Sequence, residues 1–295
     1  MSSPPRDHPP GGHPPRGHGR ALHEQNRRSW NAVTPIHNQH KRDQAAFLQR
    51  PDGCTLFADE LELLGELRGQ RLAHLQCNCG QDTLSLAKRG AVATGVDIAD
   101  APIAFARELS RDAGIPATFH RADVLDWLEQ TDQRFDLAFS SYGVIGWLCD
   151  VSAWARGIHR ILKPGGSLVL LEFHPLAWSF AADGALAEPY FLDGPIEEGG
   201  VSDYVGEPLA PSGFEPAVTP FQNPERSVGF QWTSAQILQA CIDAGLRLEV
   251  VREYPYSNGC QIFAAMQELP GRRFGMPQGM PAMPLMFGLR ARRPS

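Results

Sequence analysis

Lysine is almost missing from this chain. Lys41, Lys88 and Lys163 are the only three, and arginine supplies the rest of the 27 basic residues. That imbalance reads as a coding bias of a GC-rich genome, with no function attached. Against 33 acidic residues the formal net charge is −6, the wrong sign for a phosphate-binding surface, so no nucleic-acid partner is expected. Cysteine is also sparse: six residues, at 54, 77, 79, 149, 241 and 260, form no CxxC pair and no regular frame. A disulfide scaffold is therefore excluded, and Cys77 and Cys79 are too close for a usual zinc pair. No HExxH or comparable ligand set is present, so no metal is expected. No apolar run approaches the ~18 residues of a membrane-crossing helix, and the N-terminus lacks an apolar signal core. A cytoplasmic protein with no membrane partner is the expectation.

Hydrophobic content of 42% with 20% charged residues is enough for a sizeable core. Residues 1–20 are rich in Pro, Gly and His and read as a disordered tail. From 21 to 69 the pattern is helical, with one stretch over Leu22–Gln49 and another over Thr55–Leu67, giving an N-terminal helical cap. Strands are expected at 71–76, 92–97, 116–121, 135–140 and 167–173, with helices at 81–89, 101–113 and 151–162 between them. That alternation implies a parallel sheet with right-handed crossovers. Residues 175–230 break the rhythm with many Pro, Gly and aromatic residues, as a lid or substrate insertion would. A last helix follows over 233–244, then strands at 246–252 and 285–292.

The most informative stretch is Leu72-Ala-His-Leu-Gln-Cys-Asn-Cys-Gly-Gln-Asp82 followed by the run to Asp97. It reads strand, tight turn at Gly80, helix, strand, acid: the order by which doubly wound folds hold a nucleoside. A dinucleotide pyrophosphate needs three glycines in the turn for close backbone approach. Here Gln76 and Asn78 fill two of those places, and no Lys-Ser/Thr follows to make a phosphate loop. The ribose acid is kept and the phosphate apparatus is absent, which suits a nucleoside without phosphates. An NAD-dependent dehydrogenase is disfavoured for the same reason.

This segment resembles motifs I and II of class I S-adenosylmethionine (SAM)-dependent methyltransferases, in a bacterial branch with a His-Leu-Gln-Cys-Asn-x-Gly-Gln-Asp-Thr-Leu first motif. His74 stands where that superfamily commonly has an acid, and Gln76 and Asn78 where it commonly has glycine. Ala117–Asp123, Arg134–Ser140, the loop Ser141–Trp147 and the turn Ile161-Leu-Lys-Pro-Gly-Gly166 extend the resemblance, which is strong over about 70–175 and weaker to about 292. It implies an α/β, doubly wound, seven-stranded Rossmann-like sheet whose last strand is antiparallel between strands five and six, occupying residues 70–295.

The resemblance implies SAM as cofactor, with S-adenosylhomocysteine as product. Asp97 would accept the ribose hydroxyls, with Ile98 beside it, the alternative being an exposed turn acid, and Asp123 with Ala122 and Val124 would hold the adenine edge. For Asp123 the alternative is a helix cap for 124–128. Gly80 would leave room for the sulfonium nucleoside. Gln76, Asn78 and Ser140 are candidates for the methionine tail, local backbone hydrogen bonding being the alternative for Gln76 and Ser140. Trp30 and His37 would close over the cofactor, or else belong to a helix merely packed on the domain. Tyr142 and Trp147 follow strand four and face the transfer point, or serve as core. Trp147, Tyr190 and Trp232 are the substrate candidates.

For catalysis the candidates are His174, Glu172 and Tyr142. Alternation along strand five sends Glu172 and His174 to one face, and a histidine with pKa near ~6.5 suits proton removal near neutral pH. The alternative leaves His174 bonded to the following loop and Glu172 satisfying a buried helix end. The leading expectation is a methyltransferase acting on a small organic acceptor, at nitrogen, oxygen or carbon, in specialised metabolism. Two others stay open: an enzyme of the same fold that uses the sulfonium for a non-methylating reaction, and a catalytically inactive SAM-binding module. A homodimer is one of the open oligomeric states.

Overall fold

The computed structural model describes residues 16–206, 214–217 and 220–295. Helix α1 spans Arg16–Gln39, α2 Gln44–Gln49 and α3 Ala58–Leu64. The helical stretch expected over 22–49 is thus two helices. The chain breaks where Arg42 takes a left-handed φ of 54° and Asp43 caps α2, accepting the Ala46 N–H at 2.9 Å. Helix α1 already begins inside the segment expected as a tail over 1–20, and residues 1–15 lie outside the described residues.

Strand β1 (Arg71–Leu75), α4 (Gln81–Lys88), β2 (Val92–Asp97), α5 (Asp100–Ala113), β3 (Thr118–Arg121), α6 (Val124–Gln130), β4 (Phe135–Ser141), α7 (Val151–Ile161) and β5 (Leu162–Phe173) alternate as expected. The Lys-Pro-Gly-Gly turn differs. Phe135 pairs with Leu162 but Leu137 with Ser167, so Lys163–Gly166 bulges within a continuous β5. A Cβ on Gly166 would sit 3.0–3.1 Å from three carbonyl oxygens, which is why glycine is needed there. The 175–230 segment then supplies β6 (Ile196–Glu198) and β7 (Ser227–Gly229), an antiparallel pair. After α8 (Ser234–Asp243) and β8 (Arg247–Tyr254) comes a small sheet that the sequence pattern did not announce: β9 (Tyr256–Asn258), β10 (Gln267–Leu269) and β11 (Arg273–Gly275). Strand β12 (Met286–Arg292) closes the chain.

The main sheet has seven strands in the order β3-β2-β1-β4-β5-β12-β8, with β12 antiparallel to both neighbours and the rest of the β1–β5 pairings parallel. Alternation sorts its side chains. Leu168 and Leu170 of β5 face α7, α6 and α8 with Trp154, Ile158 and Ile237, while Val169 and Leu171 face α3 with Leu63 and Leu64. Both faces are covered, which explains the unbroken apolar runs of β4 and β5. Helix α7 shows the local logic: Trp154, Ala155, Ile158 and Ile161 form one buried stripe, and Asp150 caps its start by accepting the Ala153 N–H at 2.7 Å. Strand order reverses between β1 and β4, the place where open α/β sheets bind ligands at the carboxyl ends of their strands.

Candidate functional site

At that reversal point both strands end in strained backbone. Gln76 (φ 54°) and Asn78 (φ 47°) follow β1, and Tyr142 (φ 45°) follows β4. Non-glycine residues in this region cost of order 1–3 kcal/mol each and persist where surrounding contacts impose them. The imposing contacts are visible. Gln76 donates to the Val144 carbonyl at 2.8 Å, tying the two turns together. Glu172, buried on β5, accepts the N–H groups of Val144 (2.8 Å), Ile145 (2.9 Å), Phe173 (2.7 Å) and Gly143. Burial raises its pKa despite the four amides that favour the anion. Glu172 therefore organises the loop after β4, each of its oxygens accepting two backbone amides, the buried structural role given above as the alternative to catalysis. His174 is likewise placed as its alternative had it, bonded to the following loop. Strand β5 stops at Phe173, and the histidine caps the turn Pro175–Ser179 by accepting the Leu176 N–H at 3.1 Å, with Glu253 3.3 Å from its other nitrogen. Its ring packs edge-on against Phe287 and does not line the cavity that Glu172 adjoins.

A cavity of about 1640 Å³ opens over the switch point. Asp97 lies in its wall, half-buried; its two oxygens accept the Asn78 N–H (2.8 Å) and the Ala99 N–H (2.9 Å). Burial raises its pKa, with those amides pulling the other way. Gln76, Asn78, Ile98 and Val124 line the same wall. Gly80 does not: it makes the left-handed turn into α4, and a Cβ there would lie 2.8 Å from Ala106 and Phe119, so its role is packing. Ser140 also stays outside, its hydroxyl donating to the Leu75 carbonyl at 3.3 Å, and Ala122 is occupied by a ladder bond to the Asp97 carbonyl. Asp123 lines the cavity but is engaged. It caps α6 through the Leu125 N–H (2.8 Å) and meets His23 Nδ1 at 2.6 Å. Burial favours its neutral form, yet His23 and the amides win and hold the carboxyl below its ordinary range.

The roof is helix α1 and described residues of the 175–230 segment. His23, Asn26 and Trp30 recur at helical spacing and all line the cavity. The Trp30 ring meets Trp147 and Tyr204 edge to face, at centroid distances of 5.7 and 6.1 Å. Asn26 exchanges two hydrogen bonds with the Val228 backbone (2.8 and 2.7 Å), and Ser29 accepts the Val201 N–H at 2.9 Å. His37, expected at the cofactor, is instead buried behind this face: it bonds the Ser202 carbonyl at 3.0 Å and meets the Tyr204 ring edge to face, away from the lining. Tyr142, Trp147 and Trp232 do line the cavity; the Trp232 indole donates to the Leu148 carbonyl at 2.8 Å. Tyr190 does not, its hydroxyl sitting 3.1 Å from Ser234 Oγ. Lining residues that sequence reasoning missed are Tyr204, Asn26, His23 and Glu60. The first has no local signal, and the two α1 residues could have been found from their spacing with Trp30.

The six thiols are free, and burial pushes those of Cys77 and Cys79 up. Among the described residues no group of three or more His, Cys, Asp or Glu is placed to hold a metal ion, and no helix is long and apolar enough to cross a membrane.

Fold and site together define a class: a doubly wound α/β domain with a cavity at its switch point and a roof that carries aromatic side chains. Residues 73–166 match the family model of a methyltransferase domain. The ubiquinone biosynthesis O-methyltransferase of Pseudomonas syringae pv. tomato is 29% identical over 121 residues, 40% of this chain and 52% of that protein. The chain thus spans about half the length of the curated relatives it matches. A SAM-dependent methyltransferase structure from Mesorhizobium loti is 26% identical with a TM-score of 0.55, covering 82% of this chain and 99% of its own. The [4+2]-cyclase SpnF reaches a TM-score of 0.55 at 17% identity, over 92% of this chain and 97% of its own, a likeness of fold alone. Residues 73–166 are thus similar to a methyltransferase domain, within a fold similar to that of the SAM-dependent methyltransferase structure from Mesorhizobium loti.

Proposed function

We propose that this protein is a SAM-dependent methyltransferase whose acceptor is a small organic molecule enclosed beneath the 175–230 segment. The observation that carries the reading is Asp97, at the tip of β2 on the cavity wall, beside a turn without phosphate-binding glycines. The residues present fit that cofactor. The Asp97 oxygens accept the Asn78 and Ala99 amides, and the carboxylate's four lone-pair sites leave room for a ribose hydroxyl. Gln76 Oε1, buried at the cavity wall, has no hydrogen-bond partner among the described residues and suits the polar tail. When bound, SAM supplies a methyl group on a sulfonium whose leaving group is already activated. The chain's own work is then alignment and exclusion of water. Ile98 and Val124, on the cavity wall, would flank the cofactor's base, Trp30 and Tyr204 close the roof, and the Glu172-held loop fixes Tyr142 and Trp147. Tyr142 alone of the three expected catalytic residues keeps a side chain on the cavity without being saturated by backbone amides.

The acceptor walls include Trp178, Tyr204, Phe230 and Trp232, all outside the matched domain. An apolar or aromatic small molecule of specialised metabolism suits them better than transfer of the relatives' named substrate from a 40% match. With a net charge of −6, no nucleic-acid acceptor enters this reading. Calorimetric titration with SAM, followed by incubation with methyl-labelled SAM and extract of the source cell, tests it. Absence of SAM binding refutes the reading. Binding without label transfer favours the non-methylating or inactive alternative.

A further inference from the structure

Helix α3 carries two adjacent acids that are treated very differently. Asp59 is surrounded by donors: Arg273 at 2.7 Å, the Asn258 amide at 3.0 Å and the Tyr256 hydroxyl at 3.1 Å. Glu60 is fully buried and lines the cavity. Its Oε2 accepts the Phe57 N–H at 2.6 Å, and its Oε1 has no hydrogen-bond partner among the described residues. A second carboxylate, Asp82 at the start of α4, lines the same wall, bonded to the Thr55 hydroxyl. The groups acting on Glu60 are Asp82, the Tyr142 hydroxyl and the Cys54 thiol, with His74 of β1 facing the same wall. Burial drives the Glu60 pKa well above the carboxylate range, and Asp82 pushes it further the same way. Two acids beside an orphaned buried oxygen, on a cavity wall, are complementary to a cation that brings N–H donors. His74 occupies the position where the resemblance leads one to expect an acid, so negative charge missing from β1 is present in space from α3 and α4.

We propose that Glu60, with Asp82, forms a subsite for a protonated amine in the buried wall of the cavity. The inference rests on the cofactor reading above only for one of its two sources: the amine is either the α-ammonium of the cofactor's methionine tail or an ammonium of the acceptor. Entry of the cation moves the Glu60 proton to solvent, leaving a carboxylate–ammonium pair, so binding releases a proton.

The test is calorimetry on the full chain and on Glu60→Gln, which keeps an acceptor for the Phe57 N–H because glutamine serves that helix-start role as well as glutamate. Three probes are used: S-adenosylhomocysteine, 5′-methylthioadenosine (the same nucleoside without the amino-acid tail), and benzylammonium chloride added to the S-adenosylhomocysteine-saturated protein. Buffers of different ionisation enthalpy read proton release. If the amine is the cofactor's, Glu60→Gln weakens S-adenosylhomocysteine by about tenfold or more, abolishes proton release and leaves methylthioadenosine unchanged. If it is the acceptor's, only benzylammonium binding and its proton release are lost. Asp82→Asn, which leaves α3 intact, should give the same pattern more weakly and serves if Glu60→Gln does not fold. Equal binding of all three probes overturns the subsite, as does equal weakening of both nucleosides, which would mean that Glu60 acts through the fold. A wild-type chain that binds neither nucleoside refutes the cofactor reading instead, and benzylammonium then decides the subsite alone.

Discussion

Replacing Asn26 by Ala should release the roof from helix α1 while leaving the sheet intact. The Asn26 side chain is 3% exposed and Val228 1%, and the two exchange hydrogen bonds in both directions. Alanine removes both partners and leaves a buried N–H and a buried C=O on Val228. Each such group costs about 1–3 kcal/mol when left unsatisfied, so the docked roof loses about 2–6 kcal/mol, with water entry favouring the lower end. In populations that is from about thirtyfold to more than ten-thousandfold more opening. Hydrogen exchange measured by mass spectrometry reads it directly, because the Val228 amide is itself one of the bonds. Exchange across 196–230 should accelerate by at least the lower factor, while β4 and β5, on the far side of the cavity loops, keep wild-type protection. Unchanged exchange in 196–230 would refute the reasoning. Uniform acceleration through the sheet would refute it equally, by showing that Asn26 supports the whole fold. Since Trp30 sits on the same helix face, the variant should also bind S-adenosylhomocysteine more weakly.

Three further outcomes follow from the geometry. Asp97→Ala should weaken S-adenosylhomocysteine binding by about tenfold to more than a hundredfold, the worth of charge-assisted hydrogen bonds; wild-type affinity in a folded variant would remove Asp97 from the ribose site. His37 is lowered to about 4 by burial, with Lys41 acting the same way. Its unfolded ring titrates near ~6.5, so the unfolded state binds the extra proton between those values. Stability should fall by about 3 kcal/mol as pH drops from about 6.5 to 4 and change no further below on this account; His37→Asn should flatten that part of the melting-temperature profile, and an unchanged slope would count against it. Glu172→Gln puts an amide N–H₂ against backbone donors and should cost roughly 2–4 kcal/mol in urea unfolding. A wild-type midpoint would mean that the carboxylate does not hold the loop after β4.

The sheet was readable because both of its signals are local. Apolar runs bounded by Gly and acid mark β1, β2, β4 and β5, and helical spacing marks α5 and α7; each depends on residues a few positions apart. Asp97 was readable for the same reason, since its place at a strand tip follows from the run before it. The Lys-Pro-Gly-Gly stretch misled because a bulge and a turn demand the same residues, and only pairing with β4 tells them apart. The small β9–β11 sheet escaped because its three-residue strands are too short to show a period.

By itself, the sequence determined the order of the main-sheet elements, a turn without the pyrophosphate glycines, an acid at the tip of β2 and the existence of an aromatic-rich insertion. Tertiary structure alone decided what each candidate side chain does. Alternation placed Glu172 and His174 on one face, but that rule ends with the strand at Phe173, and the next residue is free to turn away. Glu172 is committed to amides 27 to 29 positions earlier in the chain, and His23 reaches Asp123 across 100 positions. Tyr204 meets Trp30, and Glu60 meets the cavity, only because the insertion and α3 fold back over the switch point. Hydrogen bonds and burial at such separations leave no period in the sequence, so which acid is saturated and which is left open is a property of the folded molecule.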